Sequence, residues 1–150
     1  MWYICFSRCV TANMTDVFPR EKRSWIMSRV KGRNTKPEML VRSFVHRMGL
    51  RFRLHRRDLP GNPDIVLPKH NKVIFVHGCF WHGHKSCPRS QRPTTNEQFW
   101  NEKLDENIKR DKRVRAALRR MGWKVLVVWQ CEIRNPERVL KKLERFLHDQ

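Results

Sequence analysis

The chain has 150 residues, which is enough for one domain with a hydrophobic core and too few for two. Its 33 Lys and Arg against 14 Asp and Glu give a net charge of +19, and 8 Phe and 6 Trp are interleaved with them. This combination favours a nucleic-acid partner over a merely solvated basic surface. Because no apolar run approaches the ~20 residues of a membrane span, a membrane protein is excluded.

The five cysteines are odd in number and do not resemble a disulfide framework, which favours a reduced, intracellular metal protein. Residues 1–13 include Cys5 and Cys9 but show no helical period and no clean secretion signal. We expect them to be a disordered extension, or the product of an upstream start codon, before a single domain over 14–150. Neither cysteine is assigned a role.

Two helices are predicted before the first strand. Apolar residues recur with a helical period between residues 20 and 31, at Trp25, Ile26, Met27 and Val30. After a break at GRNT, Thr35 is a predicted N-cap, and Glu38 follows it at the capping-box spacing. The second helix should end at Gly49 and should turn inward Leu40, Val41, Phe44 and Val45.

The rest of the chain predicts three consecutive strands, a long helix, a fourth strand and a closing helix. The strands cover 51–55, 64–68, 72–77 and 123–130, and the helices cover 97–120 and 136–147. The inward positions of the long helix are predicted to include Phe99, Leu104, Ile108 and Leu118. This order predicts an α/β fold in which a small mixed β-sheet is flanked by helices.

The loop VHGCFWHGHKSC, residues 76–87, is the most specific stretch of the chain. Cysteine and histidine are the usual zinc ligands, and a structural site needs four of them. Cys79, His84 and Cys87 can come from this loop, and Cys131 at the end of the last strand is the best candidate for the fourth ligand. The alternative for Cys131 is a buried apolar cysteine.

A second group of polar residues surrounds the end of the strand over 72–77. His77 ends this strand and His82 follows across the loop, so both imidazoles can meet at one point. Asp64 begins the preceding strand, and in a hairpin it lies beside Val76. A carboxylate and a backbone carbonyl at one end of a sheet suit Mg²⁺. The alternatives are a structural strand-end histidine and an aspartate that caps a turn.

Four segments resemble the very-short-patch repair (Vsr) mismatch endonucleases, in order and with matching spacing: LPGNPDIVLP, VIFVHGCFWHGH, the FW…NIKRD run and GWKVLVVWQCEI. The resemblance implies a fold akin to type II restriction endonucleases, catalytic Mg²⁺ and structural Zn²⁺. It implies nicking of double-stranded DNA 5′ to the thymine of a T·G mismatch left by deamination of 5-methylcytosine. It also implies a monomer in the cytoplasm, at the nucleoid, with mismatch-repair accessory proteins as candidate partners.

The resemblance also assigns roles to residues of the catalytic centre. Asp64 matches the metal-binding aspartate, and the carbonyl of Val76 matches a backbone metal ligand. His82 matches the histidine proposed as general base, while His77 and Asp111 would hold metal-bound water and phosphate. Glu38 matches an acidic residue of the N-terminal helix, although the capping box already explains it. Asp111 would otherwise be a solvated salt-bridge partner amid KRDKR.

Further matches concern zinc and DNA. The zinc ligands fall on Cys79, His84, Cys87 and Cys131, with one residue more between His84 and Cys87 than in a well-known member, in which a Thr also stands in place of Val76. The aromatics that wedge into the base stack beside the mismatch fall on Phe80, Trp81 and Trp100. Met27 matches an apolar side chain that enters from the opposite groove. Without the resemblance, Trp100 and Met27 would be ordinary helix packing.

Two other functions are compatible with the composition. A non-catalytic, zinc-stabilised DNA-binding module would explain the charge, the aromatics and the four zinc ligands. It would leave Asp64, His77 and His82 without a role. A nuclease of the same fold with another DNA target would use all of these residues, because base specificity depends on few side chains.

Overall fold

The computed structural model describes residues 21–22, 25, 28–29 and 32–148. The expected extension over 1–13 and Met27 lie outside these residues, so both remain predictions. Within the first predicted helix, Glu21, Lys22, Trp25 and Ser28 are helical. Trp25 is 54% exposed, with the Arg29 guanidinium 4.1 Å from its ring centroid, so this member of the predicted apolar stripe is not in the core.

Helix α1, Lys36–Arg47, has the predicted ends. The Thr35 hydroxyl accepts a hydrogen bond from the Glu38 N–H at 3.4 Å, and Pro lies in the first turn. The helix ends where Gly49 takes a positive φ of 75°, a conformation that glycine adopts without a steric penalty. Val41, Phe44 and Val45 are buried as predicted.

A three-stranded mixed sheet forms the centre of the fold. Strand β1, Ile65–Leu67, pairs antiparallel with β2, Lys72–His77, and β2 pairs parallel with β3, Lys124–Trp129. The β1–β2 connection is a single tight turn that ends at Asn71 in the left-handed conformation (φ 51°). The parallel partner requires a long crossover, and this crossover contains the candidate site.

Helices cover both faces of the sheet. Helix α2, Glu97–Arg120, lies within the crossover, and helix α3, Pro136–His148, closes the domain. Alternate strand residues face opposite sides. One face of the sheet packs with α1 and α3 through Ile65, Leu67, Ile74 and Val128. The other face packs with Leu118 of α2 through Val66, Val73 and Phe75. The predicted mixed sheet flanked by helices is therefore confirmed.

Two details of the prediction are wrong. The strand predicted over 51–55 is only an isolated bridge between Arg53 and Val66. Extended pairing stops there because His55 has a positive φ of 47° and its side chain contacts Arg42. Phe99, predicted to point inward, is 52% exposed. Among the described helices, none is long and apolar enough to cross a membrane.

Candidate active site and metal centre

The candidate site lies where β2 and β3 end side by side. His77 and Trp129 are register partners at this edge, and the Gln130 N–H donates to the His77 carbonyl at 2.8 Å. The chain then turns sharply, because the His82 N–H donates to the Gly78 carbonyl and the His84 N–H donates to the Cys79 carbonyl. These turns place histidines, cysteines and aromatic rings of one short loop around a single edge of the sheet.

The structure brings together the four residues predicted to bind zinc. The candidate ligand atoms of Cys79, His84, Cys87 and Cys131 all lie within 4.8 Å of one another. His84 Nδ1 is 3.6 Å from the Cys79 Sγ and 3.2 Å from the Cys131 Sγ. On a tetrahedral zinc with ordinary bond lengths, a nitrogen and a sulfur ligand are about 3.6 Å apart. The observed separations therefore suit a bound zinc ion.

The protonation chemistry of this cluster also fits a cation. Cys79 is fully buried, and burial raises the pKa of its thiol to about 12. A buried thiolate needs a positive partner, which a coordinated metal ion supplies. Cys131 is half-buried beside His84, which does not fit the alternative of an isolated, buried apolar cysteine. The cluster can hold a metal ion.

A second cluster contains His77, His82 and Asp111, whose candidate ligand atoms also lie within 4.8 Å of one another. His82 Nδ1 is 2.5 Å from the Asp111 carboxylate, and the His82 ring stacks on His77 at a centroid distance of 3.8 Å. Asp111 comes from the middle of α2, whereas the histidines come from β2 and the loop. With only 12% of its side chain exposed, Asp111 is not a solvated salt-bridge partner.

The charges of this cluster follow from burial and hydrogen bonding. Burial, together with the neighbouring His82, lowers the pKa of His77 to about 3, so His77 is neutral. Burial alone would raise the pKa of Asp111, but the hydrogen bond from His82 and the nearby cationic groups lower it. An ionised Asp111 only accepts hydrogen bonds. His82 therefore donates from Nδ1 to this carboxylate, and in the neutral form of the imidazole Nε2 keeps a lone pair.

Asp64 lies beside Val76, as the hairpin argument predicted. The Asp64 carboxylate accepts a hydrogen bond from the Val76 N–H at 2.7 Å. Burial raises the pKa of Asp64 to about 6, in spite of this hydrogen bond. A half-buried carboxylate with a raised pKa gains from a nearby cation, so the position suits a hard metal ion such as Mg²⁺.

Glu38 is buried at the start of α1, where it acts as a cap and as an ion-pair partner. Its carboxylate accepts hydrogen bonds from the Thr35 hydroxyl at 2.8 Å, the Asn34 N–H at 2.9 Å and Arg42 at 2.9 Å. Its negative charge adds to the effect of burial in raising the pKa of Asp64, so the two carboxylates are electrostatic neighbours. The position of Glu38 is compatible with both of its predicted roles, as a member of the capping box and as an acidic residue of the catalytic centre.

The aromatic residues of the loop and of α2 form one cluster. Phe80 meets Trp81 at a centroid distance of 5.1 Å and Trp100 at 5.5 Å, in edge-to-face contacts. Phe99 joins them through Trp100 at 5.3 Å. Phe80, Trp81 and Trp100 are each partly exposed, and Phe99 is exposed. We name Phe80, Trp81, Phe99 and Trp100 the aromatic cluster.

Helix α2 holds the loop that carries this cluster. The Asn107 amide donates to the Trp81 carbonyl at 3.2 Å, and Asp111 holds His82 one helical turn further on. Gly83, at a φ of 59°, packs so closely that an added Cβ would lie 2.5 Å from Ile108. The aromatic cluster and the histidines are thus fixed to the same rigid helix.

Sequence reasoning missed three residues of this region. Phe99 was assigned to the core because helical spacing does not distinguish a core face from an exposed aromatic face. Arg42, which pairs with Glu38, is not among the predicted site residues. Trp129 was interpreted as part of a core strand, but its ring lies parallel to His84 at 4.2 Å.

Comparisons with known proteins identify the family of this chain. Residues 15–89 match the family described as DNA mismatch endonuclease Vsr. The chain is 52% identical over 120 residues to the Type II nicking enzyme V.XorIIP of Xanthomonas oryzae pv. oryzae, covering 80% of this chain and 88% of that protein. It is 40% identical over 126 residues to the DNA mismatch endonuclease Vsr of Escherichia coli, covering 84% of this chain and 80% of that protein.

A solved structure gives the same answer for the fold. The catalytic domain of the homing endonuclease I-Bth0305I superposes with a TM-score of 0.53 at 20% sequence identity, covering 75% of this chain and 94% of that domain. At this identity the likeness shows an endonuclease-like fold alone. With the family match and relatives of this identity and coverage, the chain belongs to the Vsr family of DNA mismatch endonucleases and is a DNA endonuclease.

Proposed function

We propose that the protein nicks one strand of double-stranded DNA 5′ to the thymine of a T·G mismatch, in a reaction that requires Mg²⁺. The observation that supports this most is the pair formed by His82 and Asp111 at 2.5 Å, fixed to the same helix as the aromatic cluster. The His82–Asp111 pair would supply the base for hydrolysis, and the aromatic cluster would supply a wedge that enters at a weakened base pair. The mismatch named in the family description is the lesion that such a wedge would favour.

His82 is the proposed general base. Its Nε2 is free to take a proton from the attacking water, because Nδ1 is committed to Asp111. An ionised Asp111 stabilises the imidazolium that forms, as the acidic member of a catalytic triad does. His77, which is neutral and stacked on His82, would hydrogen-bond the water or the phosphate.

Asp64 and the Val76 carbonyl would hold Mg²⁺, and Cys79, His84, Cys87 and Cys131 would hold Zn²⁺. The donor sets differ as these ions require, with oxygen for the hard ion and sulfur and imidazole for the softer one. When bound, Mg²⁺ neutralises phosphate charge and stabilises the leaving 3′ oxygen. Glu38, next to Asp64, would add a second negative charge to that end of the site.

The aromatic cluster is the proposed mismatch reader. Inserting its rings between base pairs costs a few kcal/mol of unstacking, and a mismatched pair resists this less than a sound one. The net charge of +19 provides the phosphate affinity that brings the protein to DNA without regard to sequence. We propose the same activity for a monomer inside the cell, with accessory mismatch-repair proteins as further partners.

The test is strand nicking of a labelled duplex that carries one T·G mismatch in a CC(A/T)GG-type context, with Mg²⁺. The matched T·A duplex, the Asp64→Ala protein and the Asp58→Ala protein serve as controls, since Asp58 is an exposed carboxylate paired with Arg56. We expect a nick in the thymine strand of the T·G duplex only, lost in Asp64→Ala and kept in Asp58→Ala. Equal cutting of both duplexes would favour a nuclease with another DNA target.

A further inference from the structure

Four rings form a continuous series across the end of the sheet, from the Cys/His cluster to the proposed general base. The His84 ring lies parallel to Trp129, with centroids 4.2 Å apart and an interplanar angle of 9°. Trp129 meets His77 in an edge-to-face arrangement, with centroids 5.5 Å apart and an interplanar angle of 75°. His77 stacks on His82 at 3.8 Å and 12°. Trp129 is therefore the one side chain that contacts both the cysteine cluster's histidine and the histidine pair in this series.

The backbone explains why Trp129 can occupy this place. His77 and Trp129 are register partners in parallel strands, so their side chains project from the same face of the sheet. The Trp129 N–H donates to the Glu132 carboxylate at 2.7 Å, and Lys142 of α3 holds that carboxylate at 2.8 Å. Both the strand and the closing helix thus fix the position of the indole.

Core packing does not account for Trp129. Among the described residues, the two apolar cores gather the side chains of the strands around α1 and α3 or around α2, and Trp129 is in neither group. Its ring contacts are to histidines on both sides. An indole in contact with two imidazoles restricts the rotation of both.

We propose that Trp129 is a positioning residue for the nicking reaction. It holds His77 in the plane on which His82 stacks, and it makes this plane depend on the order of His84 in the Cys/His cluster. Metal binding at the cysteines would then affect the orientation of His82 through packed rings rather than through a shared ligand. The inference rests on the proposed role of His82, but its structural part concerns the DNA-free protein.

The test compares Trp129→Leu and Trp129→Phe with Trp123→Leu. Trp123 is a half-buried indole that directly precedes β3 and packs in the core around α2. The imidazole signals of His77 and His82 are measured by NMR in the zinc-loaded, DNA-free protein, and single-turnover nicking is measured separately. We expect Trp129→Leu to shift both signals and to slow nicking about 30-fold with little change in DNA affinity, and Trp129→Phe to lie between it and wild type.

The control should behave differently. Trp123→Leu should lower the melting temperature and leave the two imidazole signals and the nicking rate at their wild-type values. A folded, zinc-loaded Trp129→Leu protein with wild-type imidazole signals would overturn the proposal. If Trp129→Leu does not fold, Trp129→Phe decides by the same criterion, since a single benzene ring cannot fill the place of an indole between two histidines. If the signals shift as expected but the wild-type protein nicks no duplex, the proposed function fails, and only the structural part of the proposal, that Trp129 orients His77 and His82, stands.

Discussion

The loop after β2 contributes to two clusters of metal-ligating side chains, and they differ in donor chemistry and in surroundings. The Cys/His cluster joins three sulfurs and one imidazole around the fully buried Cys79. The His77–His82–Asp111 cluster has no sulfur, and its histidine and aspartate already satisfy each other at 2.5 Å. The first cluster can hold a metal ion, whereas His82 and Asp111 of the second already form a hydrogen bond with each other. We propose that the first cluster stabilises the loop and that the second transfers a proton.

The largest effect is expected when one sulfur ligand of the Cys/His cluster is removed. Replacing Cys131 with Ser should lower the free energy of unfolding by about 3 kcal/mol or more, because metal binding in a structural zinc site contributes directly to folding. At roughly 2–4 °C per kcal/mol for a domain of this size, the melting temperature should fall by about 10 °C. Metal analysis of the native protein should find one zinc per wild-type chain and less in Cys131→Ser.

The control for this variant is Lys85→Ala, an exposed position of the same loop. It should keep both the zinc and the melting temperature. A Cys131→Ser protein with full zinc content and wild-type stability would show that Cys131 is not a zinc ligand.

The pH dependence of stability probes the second cluster. The folded-state pKa of His77 is lowered to about 3, chiefly by burial, while an unfolded histidine titrates near 6.5. The stabilisation is therefore present above pH 6.5 and is lost progressively as the pH falls, by about 2 kcal/mol between pH 7 and pH 5. Urea unfolding at the two pH values, compared with His77→Phe, should show this loss in wild type and a smaller loss in the variant.

The exposed His70 provides the control, since His70→Phe should keep the wild-type pH dependence. Identical pH dependence in wild type and His77→Phe would mean that the pKa of His77 is not lowered in the folded protein.

Asp64 is expected to oppose stability at neutral pH. Its folded-state pKa is raised to about 6 by burial, so the stabilisation that it contributes is present below about pH 4 and is lost as the pH rises through 6. Asp64→Asn keeps an oxygen for the Val76 N–H but carries no charge. In the metal-free protein at pH 7.5 it should be more stable than wild type by about 1–2 kcal/mol, while it should fail to nick. Thermal unfolding in EDTA measures the first effect.

The opposite result would be informative as well. If Asp64→Asn is less stable than wild type at pH 7.5 and equally stable at pH 4, the carboxylate is favourably charged in the fold. The Asp64 position would then have no need of a cation.

The smallest effect is expected at Phe99. Phe99 and Met121 lie near opposite ends of α2 and are 52% and 53% exposed, so neither should contribute much to folding. Phe99→Ala should weaken binding to the T·G duplex about 5-fold, in line with the loss of roughly 1 kcal/mol of base stacking. Met121→Ala should not. Equal affinities for all three proteins, measured by fluorescence anisotropy, would remove Phe99 from the aromatic cluster's role.

Much of the fold could be predicted from the sequence, because its signals are local. The Thr35 cap, the stop at Gly49 and the apolar runs of β2 and β3 each depend on neighbouring residues. The strand over 51–55 was predicted wrongly because alternation alone does not reveal that His55 adopts a positive φ to meet Arg42. That contact joins residues of two different segments and leaves no local pattern.

The candidate site was predictable as a set of residues but not as an arrangement. The spacing of cysteines and histidines indicated which side chains to expect, and the resemblance assigned Asp111, which composition alone would have left on the surface. The series from His84 through Trp129 to His82 depends on the parallel register of β2 and β3. Such a register depends on the whole crossover between β2 and β3, so no short motif could predict it.

The most direct test of the division between the two clusters is the single-turnover nicking rate of His82→Asn on the T·G duplex. It is measured together with zinc content, melting temperature and DNA affinity. We predict that nicking slows about 1,000-fold, as expected for the loss of a general base, while the other three stay at wild-type values. A His82→Asn protein that nicks at the wild-type rate, or that loses its zinc, would contradict the assignment of proton transfer to this cluster.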